Sequence, residues 1–128
     1  MAGNELDKEF IEQQRDKLLD RKAELERMQR DAQEVSRERS QEYQDAQADS
    51  GDESQYLFER EVDATLGQQF GQELKDVSRA LEKIEEGTYG LSDRSGEPIP
   101  RGRLEAIPEA FYTLEEQQRR EGERRPPV

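Results

Sequence analysis

Ile11, Leu18, Leu25 and Ala32 stand seven residues apart, and Met28 and Val35 fill the alternate seam position further along. A seven-residue apolar repeat makes one narrow stripe on an α-helix, the seam of a two-helix pairing. No proline interrupts the run from about Glu5 to Ala48, so the pattern predicts one long helix. Phe10 and Leu19 widen its stripe near the start, as suits an end resting on a globular body. Asn4 or Asp7 supplies the N-cap.

The repeat fails at residues 48–54, where Gly51 among serines and aspartates predicts a turn and Asp52 or Ser54 can cap the next helix. That second helix is predicted from about Gln55 to Glu86. Its seam runs through Phe70, Leu74, Val77, Leu81 and Ile84, and more weakly through Leu57 or Phe58, Val62 and Leu66 nearer the turn. Gly67 is a soft spot there, costing up to about 1 kcal/mol relative to alanine. So short a connection forces the two helices antiparallel. Gly87 then stops the helix, and Pro98 and Pro100 impose an extended segment. Leu104, Ile107, Phe111, Tyr112 and Leu114 form a modest apolar set able to close over the lower seam, and Thr113 to about Arg120 reads as a short final helix. The predicted fold class is mainly α: a long antiparallel coiled-coil hairpin over 1–87 with an acidic tip at 48–54, a small knuckle-like domain over 88–117, and over 118–128 the end of the C-terminal helix and a tail.

Composition narrows this picture. Of 128 residues, 30% are hydrophobic and 41% charged, too polar for a thick core but enough for a two-helix seam. The net charge of −12 argues against a general basic face for DNA, RNA or an anionic membrane, and favours a basic partner surface. With no cysteine and no histidine, the usual nucleophile–base pairs are excluded, and the chain is read as a non-enzyme. MAGNELDKEF lacks the basic start and apolar run of a signal peptide, and no stretch nears the roughly 18 apolar residues of a span, so a soluble cytoplasmic protein is expected.

One spacing carries chemistry in outline. Ser92 and Ser95, then Thr113 and Glu116, are separated by two, seventeen and two residues, the C-x2-C…C-x2-C arrangement of a four-cysteine zinc site. Hydroxyls and one carboxylate cannot replace thiolates as zinc ligands, so no zinc is expected. Hydrogen bonds of Ser92 and Ser95 within the turn, a pairing of Glu116 with Arg94 or Arg101, and above all the apolar set are expected to hold the segment instead.

The residues around that spacing carry a resemblance. LEKIEEGTYG followed by SGEPIPRGRLEAIPEAFY resembles the DksA/TraR family of bacterial zinc-knuckle proteins, whose pattern is close to YGxCxxCGxxIxxxRLEAxPxAxxCxxC. Matched are Tyr89, Gly90, Gly96, Ile99, Arg103, Leu104, Glu105, Ala106, Pro108 and Ala110. The resemblance implies a protein that binds RNA polymerase, inserts its hairpin into the secondary channel and modulates initiation complexes. It would act as a monomer, without binding DNA directly or a membrane.

The family's tip reads D-x-x-D-x-A; here Asp49, Asp52 and Ser54 give D-x-x-D-x-S, with a hydroxyl where a small apolar group is usual. As residues alone, the two aspartates read first as turn and cap chemistry, and it is the family register that favours the functional reading. Family members that respond to ppGpp use basic residues on the second helix and just before the proline of RLEAxP. Asp76, with Lys75 beside it, and Ile107 stand there, so the resemblance implies weak or absent ppGpp dependence. Arg101 and Arg103 are candidate polymerase contacts, with a salt bridge from Arg103 to the helical arm as the structural alternative. The rival function is a structural or adaptor coiled-coil protein, a homodimeric four-helix bundle that has lost polymerase regulation.

Overall fold

A computed structural model describes residues 6–45 and 53–124. Helix α1 spans Lys8–Asp45, α2 Glu53–Glu86, α3 Arg101–Ala106 and α4 Leu114–Arg124. Between the two cap candidates of α1 the structure selects Asp7, whose Oδ1 accepts the Phe10 N–H at 2.7 Å; Asn4 lies outside the described residues. The predicted turn also lies outside them, except that Glu53 and Ser54 already open α2.

The chain divides into two compact units, one formed by α1 as far as Lys22 with the chain from Asp76 onward, the other by Ala23–Lys75. Nearly all the apolar core described is in the first. Phe10, Leu18, Val77, Ala80, Tyr89, Ile99, Leu104 and Ala110 are buried there, and Leu25 is the buried hydrophobic residue of the second. Truncating Leu18 or Leu104 to alanine removes transfer energy and leaves a cavity, about 2–5 kcal/mol. Arg15 and Glu85, 3.7 Å apart, set α1 beside the end of α2 in this unit.

The second unit is held differently. Tyr43 stacks on Tyr56 with ring centroids 4.0 Å apart, Arg39 reaches Asp63 at 2.6 Å and Glu59 at 3.7 Å, and a side chain at Gly71 would meet the Gln29 amide at 3.7 Å. Partner numbers fall as those of α1 rise, so the helices run antiparallel.

Here the predicted seam is corrected. Leu57, Phe58, Val62 and Leu66 are 55%, 67%, 41% and 40% exposed. The alternation of three and four that runs through Ile84, Leu81, Val77, Leu74 and Phe70 continues back to Gly67, Asp63 and Tyr56, and register prevails over apolar identity because Arg39 and Tyr43 stand ready as partners. On α1, Val35 and Leu19 are exposed too, while Ser36 is half-buried. At 3.6 residues per turn a straight helix drifts off a strict heptad, which carries the stripe from 35 to 36.

The end of α2 follows the glycine. Gly87 has φ +81, its N–H donates to Ile84 O at 3.3 Å and that of Thr88 to Lys83 O at 2.9 Å, the paired bonds of a Schellman stop. No helix is predicted for RGRLEA from its pattern, yet α3 forms there. Pro100 precedes it with φ −56 and accepts the N–H groups of Arg103 and Leu104 at 3.0 and 3.2 Å, and Leu104 is fully buried. Ile107 and Leu114 are exposed, so of the apolar set expected over the lower seam only part serves as core. Among the described residues no helix is long and apolar enough to cross a membrane.

Candidate functional site

After α2 the chain folds into a narrow turn. Leu91 bridges Pro98, Ser92 N–H donates to Glu97 O at 2.8 Å, and Ile99 N–H donates to Gly90 O at 2.7 Å. Gly90 and Gly96 have φ +90 and +76, backbone that other residues reach only with strain. Inside the turn the Ser92 hydroxyl oxygen accepts the N–H groups of Arg94 and Ser95 at 3.0 and 3.3 Å. Ser95 in turn accepts the Glu97 N–H at 3.2 Å.

Thr113 and Glu116 have a separate local task. Thr113 Oγ1 accepts the Glu116 N–H at 3.2 Å and a Glu116 carboxylate oxygen accepts the Thr113 N–H at 2.9 Å, a reciprocal capping box at the start of α4. The same oxygen, Oε1, accepts the Ser92 hydroxyl proton at 2.5 Å, and the Ser95 hydroxyl stands near enough to favour the charged carboxylate as well. All four positions of the knuckle spacing therefore meet. Burial alone would raise the Glu116 pKa, but the hydrogen bonds from Ser92 and Thr113, with the Ser95 hydroxyl beside them, outweigh it and bring it down to about 2.

These groups do not fit a structural zinc. The donor set offers no thiolate or imidazole, the Ser92 proton is already given to Glu116, and among the described residues no three His, Cys, Asp or Glu side chains gather as a metal site. The expected partners of Glu116 are also corrected, since Arg94 lies 3.9 Å from Glu123 and Arg101 lies 3.2 Å from Glu105. A hydroxyl donor can approach a partly shielded carboxylate without burying a second charge, which an arginine cannot do.

Two further ties fix the turn to the helices. Asp93 accepts hydrogen bonds from Arg79 at 2.7 and 2.9 Å and from Lys83 at 2.6 Å, which hold its pKa below the usual carboxylate range against the effect of burial. Lys83 is 2% exposed, and the Asp93 N–H donates to Phe111 O at 2.9 Å. Gln14, fully buried on α1, donates its Nε2 protons to Tyr89 Oη at 3.1 Å and Leu104 O at 2.7 Å, while the Tyr89 hydroxyl donates to Pro108 O at 2.8 Å. Neither Gln14 nor Lys83 stands out in the sequence. Gln14 stands in phase with the seam of α1, between Ile11 and Leu18, whereas Lys83 lies one residue off the α2 seam at Ile84 and carries no such signal.

Arg103 donates its Nε–H to Tyr112 O at 3.0 Å, in place of the expected salt bridge to the arm. Arg101, half exposed, lies over the Phe10 ring at 4.2 Å from its centroid and makes the contact to α1. Of the predicted tip, Ser54 is an exposed residue in the first turn of α2; Asp49 and Asp52 lie outside the described residues.

No family model matches the chain. General stress protein 16O of Bacillus subtilis (strain 168) is 33% identical over 101 residues, 79% of this chain and 62% of that protein, so the chain spans less than two thirds of that curated relative. The solved structure of the RNA polymerase binding protein and transcriptional regulator Dks from Chlamydia trachomatis L2 (LGV434) is 31% identical, with a TM-score of 0.58, and the match covers 91% of this chain and 93% of that one. Transcription factor DksA2 from Pseudomonas aeruginosa matches at a TM-score of 0.76 over 96% of this chain and 92% of its own, at 24% identity.

Proposed function

The chain belongs to the DksA/TraR family as a cysteine-free member, and from that premise we propose that it is a transcription regulator that binds RNA polymerase and carries an acidic hairpin tip into the secondary channel. Asp49 and Asp52 are the tip acids in this reading, with Ser54 beside them. Two carboxylates on a slender helical pair can reach basic groups or a bound Mg²⁺ where a globular protein cannot enter. The protein acts without catalysis of its own, as a cytoplasmic monomer, and its −12 charge keeps it off DNA.

The observation that carries the reading is the outward face of α2. Phe58, Val62 and Leu66, at i, i+4 and i+8, lie on one side of the helix and share a shallow hollow with Glu61, Thr65 and Gln69. Burying one such side chain is worth about 1.5–3 kcal/mol, and this helix pair leaves them out while holding itself by the tyrosine stack and the Arg39 pairs. A surface of that kind suits a helical arm that lies against a larger protein. Arg101 is a further polymerase contact in this reading.

The same stripe also favours a second reading, an adaptor homodimer packed as a four-helix bundle. Glu61 within the hollow speaks against it, because two copies would bring like charges together. Co-purification with RNA polymerase and mass in solution separate the two. The first reading expects capture of polymerase by a monomer, and loss of the transcriptional effect in Asp49→Asn/Asp52→Asn with binding kept. A dimer that does not capture polymerase would establish the second.

A further inference from the structure

The convergence of Ser92, Ser95, Thr113 and Glu116 goes beyond the loss of a metal site. A metal in a C-x2-C…C-x2-C arrangement joins two chain turns distant in sequence by giving four side chains one centre. Removing it leaves two turns with nothing between them. In this chain Glu116 is 24 residues from Ser92, yet its Oε1 lies 2.5 Å from the Ser92 hydroxyl and 2.9 Å from the Thr113 nitrogen.

A carboxylate has the acceptor capacity for this role, two oxygens with about four lone-pair sites. It also sits in the first turn of α4, where unpaired N–H groups favour an anion. On the other side Ser92 is saturated: its proton goes to Glu116 and its oxygen takes the amides of Arg94 and Ser95. Ser92 is 5% exposed, so the link is shielded from water.

We propose that the Glu116 carboxylate takes the metal's place as the centre of the knuckle, binding the 92–95 turn to the start of α4 through the Ser92 hydroxyl, with Ser95 and Thr113 beside it where thiolates would stand. Chelators, zinc supply and thiol oxidants then have no purchase on this part of the fold. Nothing in this depends on polymerase binding.

Hydrogen exchange and thermal unfolding of Ser92→Ala, Glu116→Ala, the double variant and Thr113→Ala test it. Glu116→Ala should speed exchange of the Arg94 and Ser95 amides by about ten-fold or more, although both lie far along the chain from residue 116. Thr113→Ala loses only the hydroxyl cap and should leave those amides slow. The Ser92 and Glu116 effects on melting temperature should be strongly non-additive. In a separate arm, Ser92→Cys/Ser95→Cys/Thr113→Cys/Glu116→Cys should bind one Zn²⁺ per chain, since the four side chains already converge. Additive Ser92 and Glu116 effects, a wild-type melting temperature that falls with chelator, or a folded four-cysteine chain that leaves Zn²⁺ in solution would each overturn the proposal.

Discussion

Lys83 Nζ lies 2.6 Å from Asp93 Oδ1, and the ammonium has almost no contact with water while Asp93 keeps a second, bidentate partner in Arg79. The two partners are therefore unequal. Asp93→Ala strands a buried cation and should cost about 3–5 kcal/mol, whereas Lys83→Met leaves Asp93 satisfied by Arg79 and fills the same space, for about 1 kcal/mol or less. Urea unfolding of the two variants measures the difference; equal losses would show that the burial of Lys83 does not govern the pair.

Acid should loosen the knuckle before it loosens the helices. The Glu116 pKa falls from 4.5 to about 2 on folding and that of Asp93 is also lowered. Depressed carboxylates contribute stability that is present above their unfolded values and is lost as pH falls through the folded ones. The loss should thus develop below about pH 4.5 and be complete near 2. Glu116→Gln should flatten the acid limb of stability against pH. At the other extreme Tyr89, raised to about 12 chiefly by burial, is stabilising while protonated and loses that contribution as pH rises from 10 to 12, a limb that Tyr89→Phe removes.

The lower half of the hairpin was legible because its seam is both apolar and in register: Leu18 and Val77 are core as their neighbours in sequence imply. Near the turn those two signals part. Asp63 and Tyr56 are in register and Val62 and Phe58 are apolar, and a single sequence does not say that Arg39 and Tyr43 wait opposite. The knuckle was legible as a spacing, but its bonding was not. Thr113-x-x-Glu116 is a capping box in sequence as well as the second half of the zinc spacing, and one pattern overlies the other. Gln14 is not legible as core because a polar residue on a seam gives no hint of the tyrosine and carbonyl that take its amide protons.

The outward stripe can be changed without harming the fold. Val62→Ser and Leu66→Ser alter exposed positions and should shift unfolding by no more than about 0.5 kcal/mol each. Replacing the Arg39 and Asp63 pair by leucines should change the stability of the second unit by no more than about 1 kcal/mol, since Arg39 is 37% exposed and its pairing with Asp63 is only partly shielded from water. If the stripe serves a partner, the serine variants lose RNA polymerase capture at unchanged melting temperature. Unchanged capture would remove the stripe from the interface.

Ile107 and Asp76 set the expected response to ppGpp. The family resemblance asks for cations at both positions to meet a tetraanionic ligand, and here one is an exposed isoleucine and the other an acid. A charged ligand facing an aspartate loses affinity by repulsion, and an isoleucine offers it no hydrogen bond. Transcription assays with purified polymerase should therefore show little or no enhancement of this protein's effect by ppGpp. Ile107→Arg with Asp76→Lys should install a response, because α3 and its flanking proline hold position 107 by the Arg103 carbonyl, to which its N–H donates at 2.7 Å, independently of its side chain. Strong enhancement of the wild-type protein would mean that ppGpp is bound through other residues.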